Sequence, residues 1–246
     1  MKHLLVIGAQ RCGTTYLHDV LAEHPQVAMA RPSRPEPKVF LRSGTIDAAA
    51  YAAEFFGHAE DADVLGEKST SYLEVPEVPD RVAAALGNPQ ILVQLRDPVA
   101  RAVSNWSFSR DHEVESRSLA TALRADLRGT QEWDRSASSV SPHAYVTRGR
   151  YIEDLTRWVD RFDVRVQFLE ELLTDPEVTA DLYRWLGVDD AFRPDLDDAP
   201  VNASMSVPSV DDDLVAELRD HYRTSDAALA ELLGRDLPWR PAPEET

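Results

Sequence analysis

The sequence predicts an α/β fold: a three-layer parallel sheet with helices on both faces and a P-loop-like phosphate-binding loop after its first strand. Three observations predict it. Two largely apolar runs, Leu4 to Ile7 and Gln90 to Leu95, read as strands that need cover on both faces. Segments of helical spacing alternate with such runs along the chain. Glycines at positions 8 and 13 bracket a tight loop between the first run and the first helical segment.

Taken in order, Thr14 to His24 carries Leu17, Val20 and Leu21 on one helical face. Val27 to Met29 reads as a short strand. Residues 31 to 38 hold prolines at 32, 35 and 37, which excludes helix or central strand and stiffens a loop. An alanine-rich helix follows over Thr45 to Phe56, then a strand over Val64 to Ser69. Glu77 to Leu86 is helical and is stopped by Gly87-Asn88-Pro89. After the strand Gln90 to Leu95, Asp97 is the N-cap of a new helix and Pro98 its first residue.

From Ser109 to Arg148 the pattern weakens into a charged helix, Leu119 to Leu127, and a Ser-rich loop. This is the expected variable segment, substrate-facing or mobile. Regularity returns with a helix at Tyr151 to Phe162 and a strand at Val164 to Leu169. Helices are expected at Glu177 to Trp185 and Val210 to Tyr222, with a last turn near Ala227 to Leu233. The reading is of one domain over residues 1 to 246.

Composition narrows the function. A net charge of −17 argues against nucleic acid, whose binding rests on neutralised phosphates. No apolar stretch approaches the length of a membrane span, and Met1-Lys2-His3 leads straight into the first strand, so neither a membrane helix nor a signal peptide is expected. One cysteine permits no internal disulfide, so a cytoplasmic protein is expected. The seven histidines show no metal-ligand spacing, and no metal is expected.

The loop Gly8-Ala9-Gln10-Arg11-Cys12-Gly13-Thr14-Thr15 carries the chemistry. A strand, a glycine loop and a helix aim backbone N–H groups and the positive end of a helix dipole at one point, where an anion fits. The spacing approaches the Walker A pattern, but Thr14 stands in the place of its lysine and the cation sits inside the loop at Arg11. A 5′-phosphate bearing one small group suits this loop better than Mg-ATP. Cys12 reads as a small residue packed into the loop.

Four motifs together resemble the sulfotransferases that use 3′-phosphoadenosine 5′-phosphosulfate, and among them the heparan-sulfate-like and bacterial branch. The first is that loop, similar to the family's 5′-phosphosulfate loop. The resemblance implies that Arg11 touches the 5′-phosphate and that the backbone from Arg11 through Cys12, Gly13 and Thr14 to Thr15 cradles it. The second is Arg34-Pro35-Glu36-Pro37-Lys38-Val39-Phe40, in which Glu36 inherits the role of general base. The third is Gly66-Glu67-Lys68-Ser69-Thr70-Ser71-Tyr72, in which Lys68 is a second cation near the sulfuryl group; Thr70 stands where proline is common. The fourth is Leu95-Arg96-Asp97-Pro98 through Arg101 to Ser104, with Arg96 and Ser104 implied as ligands of the 3′-phosphate. Their spacing puts a guanidinium at a strand's carboxyl end and a hydroxyl two turns into the next helix.

Weaker matches follow. Gly149-Arg150-Tyr151, Leu155, Trp158, Glu171-Leu172 and Asp175-Pro176 read as core and capping residues. Val201-Asn202-Ala203-Ser204 resembles the start of a loop closing over the nucleotide, although Met205 to Val210 supplies none of the expected basic residues. Gly234 to Trp239 resembles a terminal structural pattern. The resemblance implies transfer of a sulfuryl group to a hydroxyl or amine of a small-molecule or glycan acceptor. Two alternatives stand beside it: a P-loop small-molecule kinase using Mg-ATP, and a non-catalytic nucleotide-binding protein.

Overall fold

The computed structural model describes residues 1–129, 132–134, 141–196 and 209–239. In chain order its elements are β1 (Lys2–Gly8), α1 (Thr14–Glu23), β2 (Val27–Met29), α2 (Ala48–Phe56), β3 (Val64–Lys68), α3 (Val78–Leu86) and β4 (Gln90–Leu95). There follow α4 (Pro98–Asp111), α5 (Leu119–Leu127), α6 (Tyr151–Val159), β5 (Val164–Phe168), α7 (Leu169–Thr174), α8 (Pro176–Leu186) and α9 (Asp212–Leu233). The chain divides into two compact units, residues 1–95 with 156–201 and residues 96–155 with 202–246.

The first unit is the predicted α/β assembly, a parallel sheet of five strands in the order β2-β3-β1-β4-β5, flanked by helices. Leu4 to Ile7 are all buried, as an apolar run on a central parallel strand must be. Leu4 and Val6, with Val64 and Leu92 of the neighbouring strands, pack against Leu17, Val20 and Leu21 of α1 and Leu182, Tyr183 and Leu186 of α8. The register pairs Val6 with Lys68 on one side and Leu92 on the other. The carboxyl ends of β1, β3 and β4 therefore emerge level with one another, where ligands of such sheets bind.

The second unit has its own core. Val99, Ala102 and Val103 of α4 meet Leu119 and Leu123 of α5, Leu214, Leu218 and Tyr222 of α9, and the segment Tyr145-Val146. Asp97 caps α4 as expected, its Oδ1 accepting from the Val99 N–H at 2.9 Å. Arg101 is fully buried and its Nη2 donates to the carbonyls of Ala144, at 3.2 Å, and Tyr145, at 2.6 Å.

Several boundaries differ from the sequence reading. The helix α2 starts at Ala48 rather than Thr45, because the Asp47 side chain accepts from the N–H groups of Ala49 and Ala50 and fixes the start there. The strand β5 stops at Phe168, and Leu169 instead opens the short helix α7, whose first turn holds Glu170 and Glu171 at the favourable end of the dipole. α9 is one continuous helix through Leu233, not a helix and a separate turn. No Gly or Pro interrupts residues 212–233, and Leu229 is buried on the same face as Leu218 and Tyr222. Of the expected closing loop, residues 201–208 lie outside the described ones. Leu237 is buried and Trp239 donates to Asp226 at 2.9 Å, in keeping with a structural terminal pattern. No described helix is long and apolar enough to cross a membrane.

Within residues 109–148, Glu115 is buried and accepts from the Arg117 backbone at 2.8 Å, the Arg117 guanidinium at 2.6 and 2.9 Å, and the Tyr145 hydroxyl at 3.0 Å. Burial acts to raise its carboxyl, but these hydrogen bonds outweigh burial and hold it down to about 2. The unfolded chain therefore binds this proton more tightly than the folded one. Stability from Glu115 is full above the ordinary glutamate value of 4.5 and drains away as pH falls toward about 2. Thermal unfolding from pH 6 to 2 is expected to show wild type losing stability more steeply than Glu115→Gln, with the two converging at the acid end. Parallel curves would contradict this.

Candidate functional site

The loop after β1 is closed by its own backbone. Ala9 N–H donates to Gln94 O at 2.8 Å and Cys12 N–H to Ala9 O at 3.3 Å. Gly13, at φ 73°, is the left-handed N-cap of α1, which favours glycine, and a Cβ there would also force the Leu169 side chain to shift. Arg11 is also left-handed, at φ 67°. For a residue with a Cβ this conformation costs about 1–2 kcal/mol and is typical of ligand-binding loops. The first turn of α1 has no side-chain cap and no acidic residue, which leaves its positive end suited to an anion.

Two buried glutamines orient this loop. Gln94 Nε2 donates to Cys12 O at 2.6 Å, and Gln167 Nε2 donates to Gln94 Oε1 at 2.9 Å. The pinned Cys12 carbonyl turns the N–H of the same trans peptide, that of Gly13, to the opposite side. Cys12 is itself fully buried, consistent with a small packing residue.

Glu36 and Lys68, which the sequence places in separate motifs, meet directly. Lys68 Nζ donates to Glu36 Oε1 at 2.8 Å. Thr70 completes the grip: its N–H donates to Oε2 at 3.1 Å, and its hydroxyl lies 3.1 and 3.2 Å from the two oxygens. The Glu36 side chain keeps 16% exposure and Lys68 only 8%, so the carboxylate is held firmly yet stays reachable. A base needs this combination.

The turn that follows Glu36 is anchored from three directions. Lys38, left-handed at φ 52°, donates its N–H to Ser69 Oγ at 3.0 Å. Phe40 donates its N–H to the Tyr72 hydroxyl at 3.1 Å. Arg81 Nη1 donates to the carbonyls of Phe40 and Leu41 at 3.1 and 3.2 Å. Behind Ser69 and Tyr72 lies Glu67, fully buried on β3 and accepting at 2.6 Å from each of Ser69, Tyr72 and Tyr51. Burial pushes its carboxyl up against the opposing pull of those three hydroxyls.

The second unit carries Arg96 and Ser104. Arg96 leaves β4 directly, its carbonyl accepting from the Tyr151 hydroxyl at 2.8 Å, and Ser104 lies half-buried in the second turn of α4. Asp97 between them is fully engaged: besides capping α4, its two oxygens accept from Nη1 and Nη2 of Arg219, each at 2.7 Å.

A family model described as the sulfotransferase domain matches residues 1–193. The chain belongs to the sulfotransferase family. The crystal structure of a sulfotransferase from Alicyclobacillus acidocaldarius is 28% identical with a TM-score of 0.74, over 96% of this chain and 97% of that one. A sulfotransferase domain from the curacin biosynthetic pathway, 16% identical with a TM-score of 0.54 over 96% and 99% of the two chains, shares the fold. Among sequence relatives, the human heparan sulfate glucosamine 3-O-sulfotransferase 3B1 is 24% identical over 97% of this chain and 65% of its own length. A Caenorhabditis elegans bifunctional heparan sulfate N-deacetylase/N-sulfotransferase 1 is 26% identical over 76% of this chain, but only 22% of that protein is spanned.

Sequence reasoning missed Thr70, Glu67 and Gln94 as parts of this candidate site. Thr70 was visible only as a departure from a common proline, and that departure is what supplies the N–H to Glu36. Glu67 had a signal: a carboxylate inside a buried strand needs partners. Gln94 had the same signal, a polar side chain in an apolar run.

Gln94→Leu removes the donor to Cys12 O and strands the Gln167 amide, so a loss of about 1–3 kcal/mol in stability is expected from the unmet groups. Binding of adenosine 3′,5′-bisphosphate, measured by calorimetry, is expected to weaken at the same time. Unaltered affinity would show that Gln94 does not orient the loop.

Proposed function

We propose that this sulfotransferase takes the sulfuryl group from 3′-phosphoadenosine 5′-phosphosulfate and places it on a hydroxyl or amine in one in-line displacement. The observation that carries the proposal is Glu36, a reachable carboxylate fixed by Lys68 and Thr70 on a proline-stiffened loop. The donor brings a sulfuryl group on a phosphate leaving group. The residues of the loop suit it: Arg11 supplies a cation, Thr14 and Thr15 supply hydroxyls, and the start of α1 supplies backbone N–H groups without a competing carboxylate.

Glu36 accepts the acceptor's proton as the new bond to sulfur forms, which makes an otherwise poor nucleophile competent. Lys68 stabilises negative charge on the sulfuryl oxygens, and Arg11 the charge that grows on the departing phosphate oxygen. With Lys68 already bonded to Glu36 Oε1, one ammonium serves both the base and the transferring group. The backbone from Arg11 through Cys12 and Gly13 to Thr15 cradles the 5′ side. In the second unit, Arg96 and Ser104 bind the 3′-phosphate, a dianion that a fork-shaped guanidinium and a hydroxyl suit. The acceptor is a small molecule or a glycan. Relatives named for heparan sulfate glucosamine make amino sugars the first acceptors to try.

Glu36→Gln is expected to lower the rate of label transfer from a sulfate-labelled donor into a mixed metabolite extract by about 10²–10⁴. Affinity for adenosine 3′,5′-bisphosphate should stay the same; an unchanged rate would remove Glu36 from the chemistry. Calorimetry should also rank the bisphosphate above 5′-AMP and ATP, and Arg96→Ala or Ser104→Ala should erase the margin over 5′-AMP. Tightest binding of Mg-ATP would instead indicate a kinase.

A further inference from the structure

We propose that Glu67 is a positioning residue for Glu36, acting through the hydroxyls of Ser69 and Tyr72 on the turn that follows the base. The inference rests on the reading of Glu36 as the base. Successive residues of β3 point to opposite sides of the sheet, so Lys68 goes to Glu36 while Glu67 goes into the interior.

Proton direction decides what each hydroxyl can offer its second neighbour. Glu67 Oε1 accepts from Ser69 Oγ and from Tyr72 OH, both at 2.6 Å. Each hydroxyl has a single hydrogen, and Glu67 takes it. Each is thereby left presenting only lone pairs to its other neighbour. Those neighbours are donors: the N–H of Lys38 at 3.0 Å from Ser69 Oγ and the N–H of Phe40 at 3.1 Å from Tyr72 OH. Glu67 thus polarises two parallel chains, each running from a backbone N–H of the 38–40 turn to a hydroxyl and on to Oε1. Glu36 enters that turn two residues before Lys38.

The device works whether or not Glu67 is charged. In the ionised form Tyr51 donates to Oε2 at 2.6 Å. In the neutral form the proton sits on Oε2 and is donated to the Tyr51 oxygen, and Oε1 remains an acceptor for both chains. Burial favours the neutral form. A glutamine can reproduce that form, its carbonyl replacing Oε1 and its amide replacing the Oε2 hydroxyl. A leucine cannot.

The test uses the full chain and four variants: Ser69→Ala, Tyr72→Phe, Glu67→Leu and Glu67→Gln. Amide hydrogen exchange at Lys38 and Phe40 is read beside sulfate-label transfer into a mixed metabolite extract and bisphosphate affinity. Ser69→Ala should speed exchange at Lys38, and Tyr72→Phe at Phe40. Transfer should fall by about 10- to 100-fold in both, the scale of a misplaced catalytic group, with bisphosphate affinity unmoved. Glu67→Gln should rescue what Glu67→Leu loses in both exchange and transfer. Unchanged exchange at both amides in Ser69→Ala and Tyr72→Phe overturns the proposal, as does a glutamine no better than leucine. Ser69→Ala removes one oxygen atom and keeps the test valid should the larger changes impair folding. Full transfer by Glu36→Gln would overturn the base reading alone, since the exchange rates decide the relay without reference to it.

Discussion

The carboxylate of Glu36 is held by a strand to which it does not belong. Its own loop contains Pro32, Pro35 and Pro37, whose nitrogens cannot donate, and belongs to no strand of the sheet. Of the donors that fix it, Lys68 is the last residue of β3 and Thr70 lies in the turn directly after it. The Lys68 ammonium, the Thr70 N–H and the Thr70 hydroxyl converge on one carboxylate, and this grip decides where the loop goes. Prolines lower the entropy the loop must lose, and the ion pair selects one position from what remains.

The same economy governs the phosphate loop. A parallel sheet satisfies its own backbone, so a polar side chain on a central strand has to find a partner beyond the ladder. Gln94 finds the Cys12 carbonyl, and Gln167 finds Gln94. A chain of two amides therefore transmits the rigidity of β4 and β5 to a loop that has left β1. Strands set the loop on one side of the sheet's carboxyl edge, and Glu36 is set on another, without either loop needing regular structure of its own.

What was legible followed local rules. The apolar runs, the paired glycines and the Asp97-Pro98 helix start predicted β1, β4, the phosphate loop and the cap of α4, because each is decided by neighbours in the chain. Glu36 and Lys68 were legible as separate motif residues, but their 2.8 Å contact joins positions in different elements and no spacing rule encodes it. The second role of Asp97 was hidden for the same reason: Arg219, its bidentate partner, comes from α9 far along the chain. The error at the end of α9 was of another kind. The apolar pattern weakens after Tyr222, and helix continuity there comes from Leu229 packing below and from the lack of any residue that would break it.

The first unit is assembled from two separate stretches of chain, and β5 arrives only after the whole of residues 96–155. During synthesis β1 to β4 emerge with one side of β4 still lacking its neighbour, although Ile91 to Leu95 are destined for full burial. A nascent chain halted in that interval exposes a bare, apolar strand edge, the kind of surface on which polypeptides aggregate. Until residues 164–168 emerge, β4 is the edge of the sheet; afterwards that place passes to β5.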